Sequence, residues 1–181
     1  MTRWWWLRHA PVAGHDGICV GQLDVAADLS EAERVTGLPE GAVWLSSPLR
    51  RTLETAAALG HDTLAEPAFA EQNFGDWQGR PYSSFAIEAG DLATVVPPSG
   101  ESFANLCVRV AAAVDRIGAE HAGRDIVVVG HAGSIRAALA HALGLPPERA
   151  LSFAIAPLSL TTLVHYPDEN GWQVEGVNRR R

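Results

Sequence analysis

Two histidines follow directly on apolar runs. Trp4-Trp5-Trp6-Leu7 ends in Arg8-His9, and Ile126-Val127-Val128-Val129-Gly130 ends in His131-Ala132-Gly133-Ser134. A third apolar run, Ala42-Val43-Trp44-Leu45, leads through Ser46-Ser47-Pro48 to Arg50 and Arg51. A neutral imidazole attacks electrophiles or carries protons near neutral pH. A guanidinium is a planar fork that pairs two oxygens of a phosphate or carboxylate at once. Brought together, these side chains would hold an oxyanion and act on it. An isolated Arg-His pair reads as a strand end meeting solvent; the same junction at three places gives the chemical reading its weight.

The elements around these junctions decide whether they meet. Short apolar runs bounded by polar or turn residues are what strands buried on both faces look like, so residues 4–7, 42–45 and 126–129 are expected as inner strands. Ser47 as N-cap and Pro48 at the first position open a helix over residues 49–59 that stops at Gly60. Phe103, Leu106, Cys107, Val110, Val114 and Ile117 recur at spacings of three and four, the stripe of an amphipathic helix. Residues 134–143 form another helix, closed by Gly144 with Pro146 and Pro147 beyond it. Late strands are expected at 158–166 and 172–177. The segment 76–99, carrying Pro81, Gly90, Pro97 and Pro98, is expected as an irregular cap excursion over one end of the sheet. The alternation predicts one domain over residues 1–181, a three-layer α/β/α sandwich with a mainly parallel central sheet. In such sheets ligands bind outside the carboxyl ends of the strands, which is where Arg8, His9, Arg51 and His131 fall.

Composition narrows the function classes. The 181 residues suit a single core, and the apolar share of 47% with 19% charged residues is that of a globular chain. The formal charge of −7 argues against a nucleic-acid partner, because such proteins neutralise phosphates with excess Lys and Arg. Arg179, Arg180 and Arg181 read as a solvated tail. Cys19 and Cys107 stand far apart with no C-x-x-C, which suits a reducing compartment and gives neither a disulfide framework nor a zinc motif. The four-residue run at 4–7 is too short for a signal-peptide core or a membrane span, so a cytoplasmic protein with no membrane partner is expected.

Five motifs in order resemble the histidine phosphatase superfamily, also called phosphoglycerate mutase-like. They are Arg8-His9, Ser47-Pro48-Leu49-Arg50-Arg51 with Thr55-Ala56, Glu71-Gln72-Asn73-Phe74-Gly75-Asp76-Trp77-Gln78-Gly79, Gly100-Glu101-Ser102, and Gly130-His131-Ala132-Gly133-Ser134-Ile135-Arg136-Ala137. The resemblance implies a phosphoglycerate mutase-like fold and five catalytic residues. His9 is then the nucleophile that takes the phosphoryl group, Arg8 and Arg51 bind the phosphate, and His131 stabilises the transferring group. Glu71 gives a proton to the leaving oxygen and later activates water. Arg50, one place off the motif, is expected to be a solvated helix residue. His15 stands where many members place a phosphate-binding Asn, and Ala132 where glycine is commoner; both are candidate substrate-binding positions. Ala10-Pro11 replaces the usual glycine after the nucleophile, which requires that residue 10 need no positive φ. Glu101 and Ser102 are expected to order the helix that follows, Arg136 to be structural, and Phe74 and Trp77 to pack with some share in the pocket.

The resemblance implies no metal or other cofactor. Only 28 residues separate Glu71 from Gly100, a short cover, so hydrolysis of a small phosphorylated metabolite is expected over phosphoryl transfer of the mutase type. α-Ribazole 5′-phosphate is one specific expectation. A phospholigand-binding module without turnover is the alternative of a different class. An α/β-hydrolase is excluded because the elbow position at 132 is alanine and not serine.

Overall fold

The computed structural model describes residues 1–167 and 171–180. Its sheet has six strands in the order β3-β2-β4-β1-β5-β6. These are β1 (Thr2–Arg8), β2 (Val43–Ser46), β3 (Leu64–Ala65), β4 (Asp125–Gly130), β5 (Leu160–Tyr166) and β6 (Gly171–Arg179). The first four run parallel to one another, while β5 and β6 are antiparallel additions. The helices are α1 (Arg50–Ala58), α2 (Phe103–Glu120), α3 (Ala132–Leu143) and the short α4 (Pro147–Ala150). The expected mainly parallel sheet is present, and helices pack on both of its faces. The run at 4–7 is an inner strand, parallel to β4 on one side and antiparallel to β5 on the other. Arg179 and Arg180 are exposed; Arg181 lies outside the described residues.

Side-chain alternation in the strands builds two half-cores. Trp4, Trp6, Ile126 and Val128 face α2 and α3, together with Phe103, Leu106, Val110, Ile135 and Leu139. Leu7, Val127 and Val129 face the other way onto Ala56 of α1. Trp4 and Trp6 are fully buried and their rings stack at 5.9 Å. Each removes on the order of 200 Å² of largely apolar surface, worth about 5 kcal/mol at the usual transfer coefficient. That is why the chain spends so much aromatic mass on the strand that carries the Arg-His pair. α2 opens at Ser102, whose hydroxyl accepts from Asn105 N, in a capping box completed by the Asn105 side chain. α3 ends at Gly144 in the left-handed conformation (φ 60°).

The first boundary of α1 differs from expectation. The cap position is Leu49, the helix starts at Arg50, and no side chain caps it. Ser47 and Pro48 belong to the extended exit from β2, because the Ser47 hydroxyl is drawn to His131. Between α1 and α2, the stretch 75–99 contains only single 3-10 turns, at Gly75–Trp77, Tyr82–Ser84 and Ala89–Asp91. It is tied to the loop after β1 by the Ile18–Pro81 bridge and by Cys19 N donating to Arg80 O at 2.9 Å.

Candidate active site

Strand register brings the two histidines together. β1 and β4 pair with Arg8 opposite Gly130, so His9 and His131 leave adjacent strands at the same level. This is the point where the connections from β1 and β4 diverge, the crevice at which open α/β sheets bind ligands. The His9 and His131 ring centroids lie 5.1 Å apart. Ser46 pairs with Val129 one strand over, which sets Ser47 beside His131. A cavity of about 690 Å³ opens above these strand ends.

His9 is buried and its tautomer is fixed by what it touches. Nδ1 lies 2.6 Å from Ala10 O. A carbonyl only accepts, so Nδ1 carries the proton and Nε2 keeps its lone pair. Arg51 Nε donates to that Nε2 at 3.3 Å. Burial, then Arg51, then Arg8 push the imidazole pKa down to about 3, against the Ala10 carbonyl, so the ring is neutral at physiological pH. Ala10 does not adopt positive φ, which is why alanine and Pro11 are accommodated after the histidine.

Arg51 is 2% exposed and nearly all of its donors are engaged. Besides His9, it donates to Leu23 O at 3.0 Å, Gly21 O at 2.6 Å and His131 Nδ1 at 3.1 Å. The guanidinium therefore orients His9 and fastens the loop after β1. Arg8 is held by Ile155 O at 2.5 Å, and its buried Nε has no partner among the described residues. An unpaired charged donor is costly to bury unless an anion completes it. Leu158, at φ 56°, donates its N–H to Arg8 O, a strained backbone next to the site.

His131 stands beside His9 at the strand ends, where the sequence pattern puts it. It is wholly buried and does not line the cavity. Since Arg51 can only donate, His131 Nδ1 accepts, and Nε2–H donates to Ser47 Oγ at 2.8 Å. Burial, then His9 and Arg51, push its pKa well below the usual value, so it is neutral here, with no cationic charge to offer a phosphoryl group. The sequence marks it as a strand-end residue but not its depth. It holds Arg51 from behind.

Glu71 lines the cavity at the N-terminus of α3, where Gly133 N donates to Oε2 at 3.2 Å and Gln72 N to Oε1 at 2.9 Å. A methyl group on residue 133 would collide with the Glu71 carboxylate and with Leu106, so glycine is required there by close approach. The Gly133 amide at the start of α3 is thus taken by a carboxylate. Arg109 donates to Glu71 O at 3.1 Å and pairs with Glu101 at 2.6 Å, which fixes the backbone of this segment. Glu101 also accepts from Asn73 N at 2.9 Å.

The remaining candidates divide. Ala132 lines the cavity, as does His15, whose Nδ1 is 2.7 Å from Ala13 O. Arg50 points to solvent and pairs with Glu54. Arg136, read as structural from sequence, lines the cavity and is fixed by Nε donating to Phe153 O at 2.8 Å. Its place one helical turn beyond Gly133 was the signal that could have found it. Tyr82 is a second missed wall residue. Cys19 and Cys107 are no rival nucleophiles, since burial pushes both thiols up to about 11. Among the described residues no three His, Cys, Asp or Glu side chains cluster as a metal site, and no helix is long and apolar enough to cross a membrane.

Comparison with known proteins decides the family. The family model of the histidine phosphatase superfamily, branch 1, matches residues 5–180. The chain belongs to that superfamily. Among relatives, it is 32% identical over 135 residues to a bifunctional protein of Mycobacterium tuberculosis, covering 68% of this chain and 36% of that one. The chain thus spans about a third of the length of the first curated relatives it matches. It is 33% identical over 170 residues to a glucosyl-3-phosphoglycerate phosphatase of Mycolicibacterium vanbaalenii, covering 78% of this chain and 74% of that one. In fold it resembles the crystal structure of a putative alpha-ribazole-5'-P phosphatase from Escherichia coli, with a TM-score of 0.84, 23% identity and coverage of 99% and 97%.

Proposed function

We propose that this chain hydrolyses small phosphate monoesters through a phosphohistidine on His9, without a metal. The observation that carries the reading is the state of His9: neutral, its proton held on Nδ1 by Ala10 O, its Nε2 lone pair set beside Arg51 at the cavity. That is a nucleophile already in its neutral form. Arg8 and Arg51 neutralise the phosphate and oppose the charge that spreads over its oxygens during transfer.

The Nε2 lone pair attacks phosphorus, the Nε2–P bond forms and the bond to the ester oxygen breaks. Glu71, as the acid, gives its proton to that oxygen and the alcohol leaves. Water then attacks the phosphohistidine, passing a proton to the Glu71 carboxylate, and free phosphate departs from a regenerated His9. His131 acts through Arg51, as a positioning residue. Arg51 fixes the His131 tautomer, and Ser47 Oγ accepts the resulting Nε2–H.

The test is phosphate release from p-nitrophenyl phosphate in the presence of EDTA. Activity is expected in EDTA and is expected to vanish in His9→Ala. Alkaline quenching should trap one phosphoryl group on His9 of the parent protein. Glu71→Gln should slow alkyl phosphates more than p-nitrophenyl phosphate, whose leaving group needs no proton. Full activity in His9→Ala overturns the reading.

A further inference from the structure

We infer that the alcohol released at this site is uncharged and largely apolar, a substrate class that rests on the proposed reaction. The inference starts from where the cavity's charges stop. Arg8, Arg51 and Arg136 line the cavity together with Glu71, so its three guanidiniums share one site with one acid. His9 and His131 are neutral. No lysine exists in the lining, and no further arginine: Arg80 is engaged over the Phe85 ring, 5.1 Å from its centroid, and is not a wall residue. Among the described residues the other ionisable side chains on the wall are Asp16, whose carboxylate repels a second anion, the His15 imidazole and the Tyr82 phenol.

Above the floor both walls carry apolar side chains, interrupted by His15, Asp16 and Tyr82. Ile18 and Val20 come from the loop after β1, and Phe74, Trp77, Leu92 and Val95 from the segment that follows Glu71. Trp77 is braced from behind by Phe85, stacked at 4.6 Å, which makes its ring a fixed surface. Leu92 is 46% exposed, an apolar side chain left at the mouth with nothing of the chain covering it. The volume of about 690 Å³ exceeds what a phosphate group needs, so most of it is space for the alcohol. An apolar alcohol would cover these side chains; a carboxylate or second phosphate would lose its hydration there with no cation in exchange.

The experiment measures binding and turnover separately. Ethyl, propyl, butyl and hexyl phosphonates, which cannot be hydrolysed, are titrated calorimetrically into the parent protein. A fully buried methylene gives about fourfold in affinity, so a half-buried chain gains about twofold per methylene and hexyl should bind at least about tenfold tighter than ethyl. kcat/KM for the matching alkyl phosphates should rise in parallel, and 3-phosphoglycerate and phosphoserine should fall below propyl phosphate. In Trp77→Ala the hexyl-to-ethyl affinity ratio should shrink; in Leu92→Ser it should shrink as well, which keeps the test alive should the tryptophan variant fold poorly. A ratio near one in the parent protein, or a preference for the carboxylated esters, overturns the inference. Loss of turnover with a steep phosphonate series would instead overturn the proposed reaction and leave the apolar class standing.

Discussion

Replacing His9 by glutamine tests its burial in the neutral state directly. The folded-state pKa is about 3, against 6.5 for an ordinary imidazole. The folded protein therefore binds fewer protons at this position than the unfolded chain between those two values. With that sign, stability is fully present above pH 6.5 and falls as the pH drops toward 3. The gap of roughly three and a half pH units, at about 1.4 kcal/mol each, costs the fold on the order of 5 kcal/mol by pH 3. Within the window the slope is about 1.4 kcal/mol per pH unit for one missing proton. His131 acts in the same direction. Urea unfolding at steps between pH 4 and 6.5 should give a steep slope for the parent protein. His9→Gln should remove roughly one proton's worth of that slope, while keeping a side-chain amide of similar reach. NMR of the His9 Cε1 proton should show no titration down to pH 4. A titration midpoint near 6.5, or equal slopes in parent and variant, would refute the burial argument and with it the claim that the nucleophile is permanently deprotonated.

Three other outcomes follow from contacts at the site. Ser47→Ala removes the acceptor of His131 Nε2–H and should cost about 1–3 kcal/mol in denaturant unfolding, with a fall in kcat that tracks looser hold on Arg51. Gly133→Ala should push Glu71 from the α3 terminus, lowering kcat/KM for alkyl phosphates by about a hundredfold and for p-nitrophenyl phosphate by much less. Arg51→Lys keeps the charge but cannot reach Gly21 O, Leu23 O and both histidines at once, so hydrogen exchange of residues 12–23 should quicken as activity drops.

The sequence made the junctions legible because a buried parallel strand leaves a continuous apolar signature, and the residue after it falls at a known edge. That places His9, Arg51 and His131 at one edge of the sheet. What it left out was depth and direction. His131 and His9 have the same signature, yet one reaches the cavity and the other sits behind Arg51, because β2 brings Ser47 in to claim its outer nitrogen. Ser47 carries the signature of a helix cap, but its hydroxyl serves a local turn to Leu49 N and the buried His131 at once, and the helix starts three residues later. Arg136 carries only its helical spacing from Gly133 as a sign that it reaches the cavity beside Arg8 and Glu71. β3, two residues long, has no periodicity to detect. The walls built by residues 12–20 and 74–95 are irregular, and their meeting at Ile18 and Pro81 depends on loop paths that spacing does not encode.

Arg51 has one consequence beyond its charge. The same guanidinium that touches the nucleophile also buckles down Gly21 and Leu23, the stretch from which Ile18 and Val20 reach the mouth. Turnover and choice of substrate thus share a single fastener. A lineage cannot retune one wall of the entrance by moving that loop without disturbing the imidazole beneath it, which leaves the opposite wall, residues 74–95, as the freer ground for new preferences.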